Sequence, residues 1–243
     1  RVISTFSIHR TSKESAVILV EAIQKERLLN HLNTFLFREN VDLASSNYFV
    51  LALQGPKSQE IIKSFTQSSD SIPEKPNDIC KFTFEGLPAL AIAKSLTGEE
   101  GCVLVFQTES EDTITKKLLE FEQQNILIQV DPHAQEVFRI ESGIPSYGKD
   151  INDKNILPET GLEHSSVSYN KGCYIGQEVI ARIKTYGAPN FALMGLIIDG
   201  DTLPLHDNEI KLNSKKLGVI KSSIFSYSLQ KNISLAYIQK DHR

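Results

Sequence analysis

Two glycines bracket a cysteine and a tyrosine in the segment 171–178, which reads Lys-Gly-Cys-Tyr-Ile-Gly-Gln-Glu. Glycine at both positions permits a tight turn or a positive φ, so Cys173 can lie on a sharp loop. The pattern becomes helical from Gln177, which places Cys173 just ahead of a helix N-terminus. The positive end of that helix and the nearby Lys171 favour a thiolate, and we therefore predict a functional thiol. The alternative is a buried, inert cysteine.

The other two cysteines, Cys80 and Cys102, lie in apolar strand-like runs, which predicts that they are core residues. Three cysteines without a C-x-x-C pair do not form a disulfide framework, so they favour a reducing compartment. The same count excludes a four-thiolate cluster or zinc site held by this chain alone. A Cys–His hydrolase that uses Cys173 with His164 is a further alternative, but their nine-residue separation in the sequence fixes no geometry.

The charge balance limits the classes of partner. The 243 residues include 26 Lys+Arg and 30 Asp+Glu, for a net charge of -4, which argues against binding nucleic acid by bulk charge. No stretch approaches the roughly 18–20 apolar residues of a membrane helix. A set of scattered cations indicates a solvated face rather than an RNA site: Lys149, Lys154, Lys171, Arg182 and Lys184.

The cysteine content and the first residues of the sequence also lead to expectations about the cellular compartment and the start of the natural chain. The reduced thiols and the lack of a targeting segment fit a bacterial cytoplasm, with the mitochondrial matrix as the alternative. The first residue is Arg1 rather than Met, and it runs directly into a strand-like segment. We therefore expect that a natural N-terminal segment precedes it.

The elements that must position these residues follow an α+β pattern. Apolar alternation and β-branched runs predict strands over 2–8, 16–20, 48–53, 79–84, 89–94, 102–107 and 126–130. Apolar spacing and capping residues predict helices over 21–37, 56–65, 108–124 and 131–143, with an exposed loop over 68–78. Short strands at 192–198, 209–212, 217–221 and 233–238, separated by turn residues, predict a small β-barrel or sandwich. We therefore divide the chain into an α+β region, 1–188, and a C-terminal β-barrel, 189–243.

The octapeptide 171–178 resembles the signature of the YgfZ-type folate-binding proteins, which are relatives of the glycine-cleavage T-protein, an aminomethyltransferase. Other blocks resemble the same family in the same order: 51–56, 97–101, 139–145 with 148–151, and 157–159. The β-rich tail suits the family's terminal barrel. The resemblance implies a T-protein-like arrangement of ferredoxin-like α+β units with a small C-terminal barrel and a central pocket for tetrahydrofolate or a related folate.

The resemblance also implies site residues. Glu141 is expected to face the pterin, because a carboxylate matches the donor pair formed by the ring N3–H and the 2-amino group. Arg139, Tyr174, Gln177 and Glu178 are expected to complete the folate site, with Gln177 and Glu178 fixing the turn through backbone amides. From the residues alone, Glu141 is also typical of a solvated helix end. Gln177 and Glu178 are likewise typical of an ordinary helix start.

Two positions depart from the T-protein pattern. T-proteins carry an aspartate pair on the strand that matches 2–8, and one of them is tied to aminomethyl chemistry. The aligned residues here are Ser4 and Thr5. Because a hydroxyl stabilises a developing ammonium far less than an anion does, the exchange points away from aminomethyl transfer.

The resemblance therefore implies a folate-binding accessory protein of iron–sulfur cluster assembly or repair, and so of cluster-dependent tRNA modification. Cys173 would be a redox thiol or a transient cluster ligand shared with an iron–sulfur assembly or cluster-containing protein, because one thiolate cannot hold a cluster alone. The alternative is a tetrahydrofolate-dependent aminomethyl or one-carbon transferase.

Overall fold

A computed structural model describes residues 1–66 and 72–242 of the chain. The chain divides into two compact units: the first unit is Phe6–Pro132, and the second unit is Arg1–Thr5 together with His133–Arg243. The domain boundary that the sequence predicts at 188 lies inside the second unit and stays a prediction.

The first unit contains a two-stranded ribbon and a four-stranded antiparallel sheet. The strands are β1 (Phe6–Arg10), β2 (Ala16–Val20), β3 (Tyr48–Gln54), β4 (Ile79–Phe84), β5 (Leu87–Ala93) and β6 (Gly101–Gln107). β1 pairs with β2, and the larger sheet has the order β3-β6-β5-β4. The helices are α1 (Lys25–Asn33), α2 (Ser58–Lys63) and α3 (Glu111–Gln123).

Strand β6 is apolar on both faces because it lies inside the sheet. Cys102, Leu104 and Phe106 belong to the larger core, in which the Phe106 ring lies 5.4 Å from that of Phe84. The intervening Val103 and Val105 contribute to a second cluster on the opposite face. Burial on both sides explains why this segment lacks a polar alternation.

The start of β6 depends on glycine. The Gln54 amide donates to the Lys94 carbonyl at 3.1 Å, and its oxygen accepts from the Leu96 amide at 2.7 Å. A Cβ on Gly101 would lie 2.4 Å from the Gln54 Nε2 atom and 2.6 Å from the Leu53 carbonyl oxygen. The close approach of strands β3 and β6 therefore requires glycine at position 101.

The second unit combines short helices with a second antiparallel sheet. The helices are α4 (Pro132–Glu141), α5 (Glu163–Ser166) and α6 (Gln177–Tyr186). The strands β7 (Phe191–Ile198), β8 (Glu209–Leu212), β9 (Lys215–Ser226) and β10 (Lys231–Gln239) have the order β7-β10-β9-β8. Val137 and Ile140 of α4 pack with Ile224, Ile233 and Leu235 of the sheet.

The chain start differs from the sequence-based expectation. The predicted strand 2–8 begins only at Phe6. Val2 is instead buried in the second unit with Tyr147 and Ile151, and its amide donates to the Asn155 carbonyl at 3.1 Å. The tertiary contacts of the first residues therefore override the local strand pattern.

The predicted strand 126–130 does not form. Ile126 lies three residues after the end of α3, and its amide donates to the Phe121 carbonyl at 2.9 Å. Ile126 and Leu127 pack against the larger core, whereas the Ile128 residue is 81% exposed. The segment is apolar, but neither edge of the four-stranded sheet receives these residues as a further strand.

Two other predictions differ at their ends. The predicted helix 21–37 is a 3-10 turn over Ala22–Gln24 followed by α1, which ends at Asn33. In the predicted loop 68–78, residues up to 71 lie outside the described part of the chain.

Among the described residues, we find no helix with the length and apolar character needed to span a membrane.

Candidate functional site

Cys173 lies on an exposed loop that ends at the N-terminus of α6. Gly176 forms the N-cap of this helix with a φ of +85°, in the left-handed region that favours glycine. Cys80 and Cys102 are buried, as the sequence predicts, and burial raises the pKa of the Cys102 thiol to about 11. Cys173 is therefore the cysteine whose sulfur solvent and partner proteins can reach.

Two lysine–tyrosine contacts hold this loop. The Lys184 Nζ atom of α6 lies 3.4 Å from the centroid of the Tyr169 ring, and the Lys171 Nζ atom lies 4.9 Å from that of Tyr174. The Tyr169 hydroxyl donates to the Glu163 carboxylate of α5, and this hydrogen bond raises the pKa of Tyr169 to about 12. The action of Lys171 on a Cys173 thiolate stays a prediction.

Gln177 closes the turn at the start of α6. Its side-chain oxygen accepts from the Tyr174 amide at 3.4 Å, and its own amide donates to the Tyr174 carbonyl at 3.1 Å. This is the backbone contact that the sequence predicts for Gln177. Glu178 is exposed in the first turn of α6. The Tyr174 hydroxyl is buried and has no hydrogen-bond partner among the described residues.

Arg139 lies in a buried network within the second unit. Its Nη1 atom donates to the Asp150 carboxylate at 2.7 Å and to the Ile144 carbonyl at 2.6 Å, and its Nη2 atom donates to Glu136 at 2.6 Å and to the Ser222 hydroxyl at 3.0 Å. Burial opposes the charge, yet these carboxylates raise the pKa of Arg139 above its ordinary value. The Arg139 guanidinium thus donates its hydrogen bonds to groups of the same chain. A contact between Arg139 and folate stays a prediction.

Glu141 is the last residue of α4 and is half-buried. Its Oε1 atom accepts from the Ser226 hydroxyl at 2.5 Å and from the Ser228 hydroxyl at 2.7 Å. Ser226 in turn accepts from the Leu229 amide at 3.0 Å. Within the described chain, Oε2 accepts no hydrogen bond, so one oxygen is anchored and the other is uncommitted.

The predicted site residues thus form two groups: the loop group of Lys171, Cys173, Tyr174 and Gln177, and the α4 group of Arg139 and Glu141. No hydrogen bond or ring contact between described residues joins them, and none joins His164 to Cys173. The serines at 226 and 228 were missed, although a Ser-x-Ser turn between two strands is visible in the sequence. In the described part of the chain, no cluster of three or more His, Cys, Asp or Glu residues could hold a metal ion.

Three of the four lysines considered for RNA binding have local partners. Lys149 pairs with Glu136 at 3.1 Å, and Lys171 and Lys184 lie over tyrosine rings. The interpretation of the five cations as a solvated face stays a prediction.

Comparison with known proteins decides the family. The model of the GCVT N-terminal domain matches residues 1–171, and the model of the glycine cleavage T-protein C-terminal barrel domain matches residues 192–243. The chain belongs to the glycine cleavage T-protein family. The predicted α+β, T-protein-like fold with a β-rich C-terminal part is confirmed, because the structure is similar to the crystal structure of the glycine cleavage system aminomethyltransferase T from Bartonella henselae. The TM-score is 0.82 at 17% identity, over 96% of this chain and 63% of that one.

Curated relatives of this T-protein family member are named aminomethyltransferase. Those of Caldanaerobacter subterraneus and Symbiobacterium thermophilum are 27% and 28% identical over 99% of this chain. That of Halothermothrix orenii is 30% identical over 84% of this chain. The chain spans 64%, 66% and 56% of the lengths of these three relatives.

Proposed function

We propose that this T-protein family member binds a folate and supports iron–sulfur cluster assembly or repair through the thiol of Cys173, without acting as an aminomethyltransferase. The observation that carries the proposal is the exposure of Cys173 on a glycine-bounded loop, while Cys80 and Cys102 are buried. A thiol in this position can reach a partner protein. The YgfZ-like octapeptide around it supports the same role.

Cluster chemistry at Cys173 requires a partner. A [2Fe–2S] or [4Fe–4S] cluster takes four protein ligands in its common forms, and this chain offers one exposed thiol. Cys173 would therefore complete a ligand set supplied mainly by an assembly protein or a cluster-containing enzyme. Alternatively, the Cys173 thiolate would attack a disulfide of such a partner, forming a mixed disulfide and releasing the partner's other sulfur as a thiolate.

The residues at the start of the chain support the absence of aminomethyl transfer. Ser4 and Thr5 are half-buried, and the family resemblance aligns them with the two aspartates of T-proteins. Neither can supply the anion that stabilises a positive charge on the folate nitrogen, and an electrostatic contribution of this kind is worth several kcal/mol.

Folate binding is the second part of the proposal, and Glu141 supports it. Its carboxylate is half-buried, carries an uncommitted oxygen, and is held in place by two hydroxyl groups. A fixed carboxylate of this kind suits the donor edge of a pterin ring.

Complementation tests the thiol role. In cells that lack the native protein, Cys173→Ala should retain folate binding but lose the maturation of a cluster-dependent tRNA methylthiolase. Cys80→Ala is the matched control, because it removes a buried thiol and should retain both activities. A Cys173→Ala variant that supports the enzyme as well as the parent protein would overturn the proposed role.

Aminomethyl transfer is the second candidate, because the curated relatives are named aminomethyltransferase. The assay supplies aminomethylated carrier protein and tetrahydrofolate and measures the loss of the aminomethyl group. We expect folate binding without turnover. Turnover by the parent protein would establish the transferase and reject the proposed accessory role.

A further inference from the structure

The oxygen Oε1 of Glu141 has no remaining acceptor site for a ligand. A carboxylate oxygen accepts about two hydrogen bonds, one for each lone pair. The hydroxyls of Ser226 and Ser228 supply both, at 2.5 and 2.7 Å. A ring edge with two adjacent N–H donors would need both carboxylate oxygens, but within the described chain only Oε2 is uncommitted.

The two serines differ in their freedom to move. Ser226 is the last residue of β9, is 0% exposed, and accepts a hydrogen bond from the Leu229 amide at 3.0 Å. Ser228 lies in the turn between β9 and β10 and is exposed. The Ser226 hydroxyl also lies 3.1 Å from the Ser228 hydroxyl, so this buried group can donate only to Glu141 or to Ser228 among the described residues. The exposed Ser228 hydroxyl can instead exchange the carboxylate for water.

We propose that Ser226 positions the Glu141 carboxylate, whereas Ser228 competes with the ligand for Oε1 and so limits the affinity for a flat heterocycle with two adjacent N–H donors. This inference rests on the proposed folate binding at Glu141 and adds to it a residue that determines specificity. Binding of a two-donor edge displaces Ser228 and keeps Ser226. A one-donor ligand binds Oε2 and leaves both serines in place.

Equilibrium titration of the full chain with 5-formyltetrahydrofolate and with its 2-desamino analogue tests the competition. Ser228→Ala should tighten the binding of 5-formyltetrahydrofolate roughly threefold to tenfold, the range of one ordinary hydrogen bond, and leave the analogue unchanged. Ser226→Ala should weaken both ligands about tenfold or more. Ser228→Thr keeps a hydroxyl and should retain the parent affinity.

Ser223→Ala is the matched control, because it removes a hydroxyl of β9 that pairs with Ser234 at 2.8 Å and not with Glu141. It should leave both affinities unchanged. Ser228 is exposed, so its alanine variant tests the proposal even if Ser226→Ala does not fold. Unchanged or weaker binding of 5-formyltetrahydrofolate by Ser228→Ala would overturn the competition.

A second measurement separates this inference from the proposed function. Isocytosine presents the same N3–H and 2-amino donors without the rest of a folate, and the carbon-13 shift of the Glu141 carboxylate reports its binding. If the parent chain binds no folate, the proposed function fails. Tighter isocytosine binding by Ser228→Ala than by the parent would then still support the inference, and the absence of any shift in both proteins would reject it.

Discussion

At the scale of single residues, burial separates the three cysteines into two classes. Cys80 and Cys102 lie in the core of the first unit, where reagents have no access, and burial raises the pKa of the Cys102 thiol to about 11. Cys173 is exposed on the loop before α6. Their chemistry should therefore differ far more than their common side chain suggests.

Thiol titration measures this difference directly. With Ellman's reagent in the native protein, we expect one cysteine to react rapidly and two to react only after unfolding, because reaction needs an accessible thiolate. Cys173→Ala should lose the rapid phase completely, and Cys80→Ala should retain it. A rapid phase that survives in Cys173→Ala would contradict the assignment of the exposed thiol.

At the scale of elements, Gly176 fixes how the thiol loop enters α6. Its φ of +85° is strained for any residue with a Cβ, although a Cβ there would meet no atom within 4 Å. The cost of substitution is thus a backbone cost and not a packing cost. This makes the turn a clean site for perturbing the loop without disturbing a core.

Gly176→Ala should lower the free energy of unfolding by about 1–2 kcal/mol, the cost of a left-handed conformation at a non-glycine residue. Gly172→Ala is the matched control, because Gly172 belongs to the same loop and lacks a positive φ, and a Cβ there also meets open space. Urea denaturation of the two variants provides the comparison. Equal losses in both would show that the turn does not depend on the left-handed conformation.

The pairing of Glu136 with Arg139 on α4 predicts a pH dependence. The hydrogen bond from Arg139 lowers the pKa of Glu136 below its ordinary value of 4.5. Since the folded-state pKa is the lower one, this stabilisation is fully present above about pH 4.5 and is lost as the pH falls through the folded-state pKa. Glu136→Gln should therefore flatten the loss of stability below about pH 4.5, measured by denaturation at a series of pH values.

Glu209 is the control for that experiment. Lys216 and Lys211 lower the pKa of Glu209 to about 2, but these side chains are exposed and solvent screens their interaction. Glu209→Gln should change the acid dependence much less than Glu136→Gln does. The opposite order would contradict the structural role of the Arg139 network.

The sequence predicted most elements but not their partners. β3, β4, β6 and α3 follow from apolar patterns and end residues that act locally. The apolar run over 126–130 also predicted a strand, yet Ile126 and Leu127 pack against the core without pairing to either edge of the sheet, because strand pairing depends on tertiary context. In the same way, Cys173 and Gln177 were found from a local motif, whereas Ser226 and Ser228 lie 85 and 87 residues beyond Glu141 in the chain and no local pattern connects them.

At the scale of the whole molecule, the two family models and the two compact units divide the chain differently. The models match 1–171 and 192–243, whereas α4 and the loop of Cys173 share the second unit with the C-terminal sheet. Glu141 from the region of the first model is hydrogen-bonded to serines from the region of the second. A C-terminal truncation would therefore remove the partners of Glu141.

Folate binding should stabilise the entire folded chain by mass action. At a ligand concentration of 100 times Kd, 5-formyltetrahydrofolate should raise the free energy of unfolding by about 2.7 kcal/mol. Thermal denaturation with and without the ligand measures this effect. Glu141→Gln should show a smaller rise at the same concentration, and an equal rise would place the ligand away from Glu141.

The 2.4 Å separation between a Cβ at position 101 and the Gln54 Nε2 atom has an evolutionary consequence. We expect positions 54 and 101 to be epistatic: an alanine at 101 first requires a shorter side chain at 54, and that change removes the hydrogen bonds to Lys94 and Leu96. Even then, the Leu53 carbonyl oxygen, 2.6 Å away, still crowds the new methyl group. Single substitutions of Gly101 should consequently be selected against. Related chains should keep the Gln–Gly combination or change residues 54 and 101 together with the neighbouring backbone.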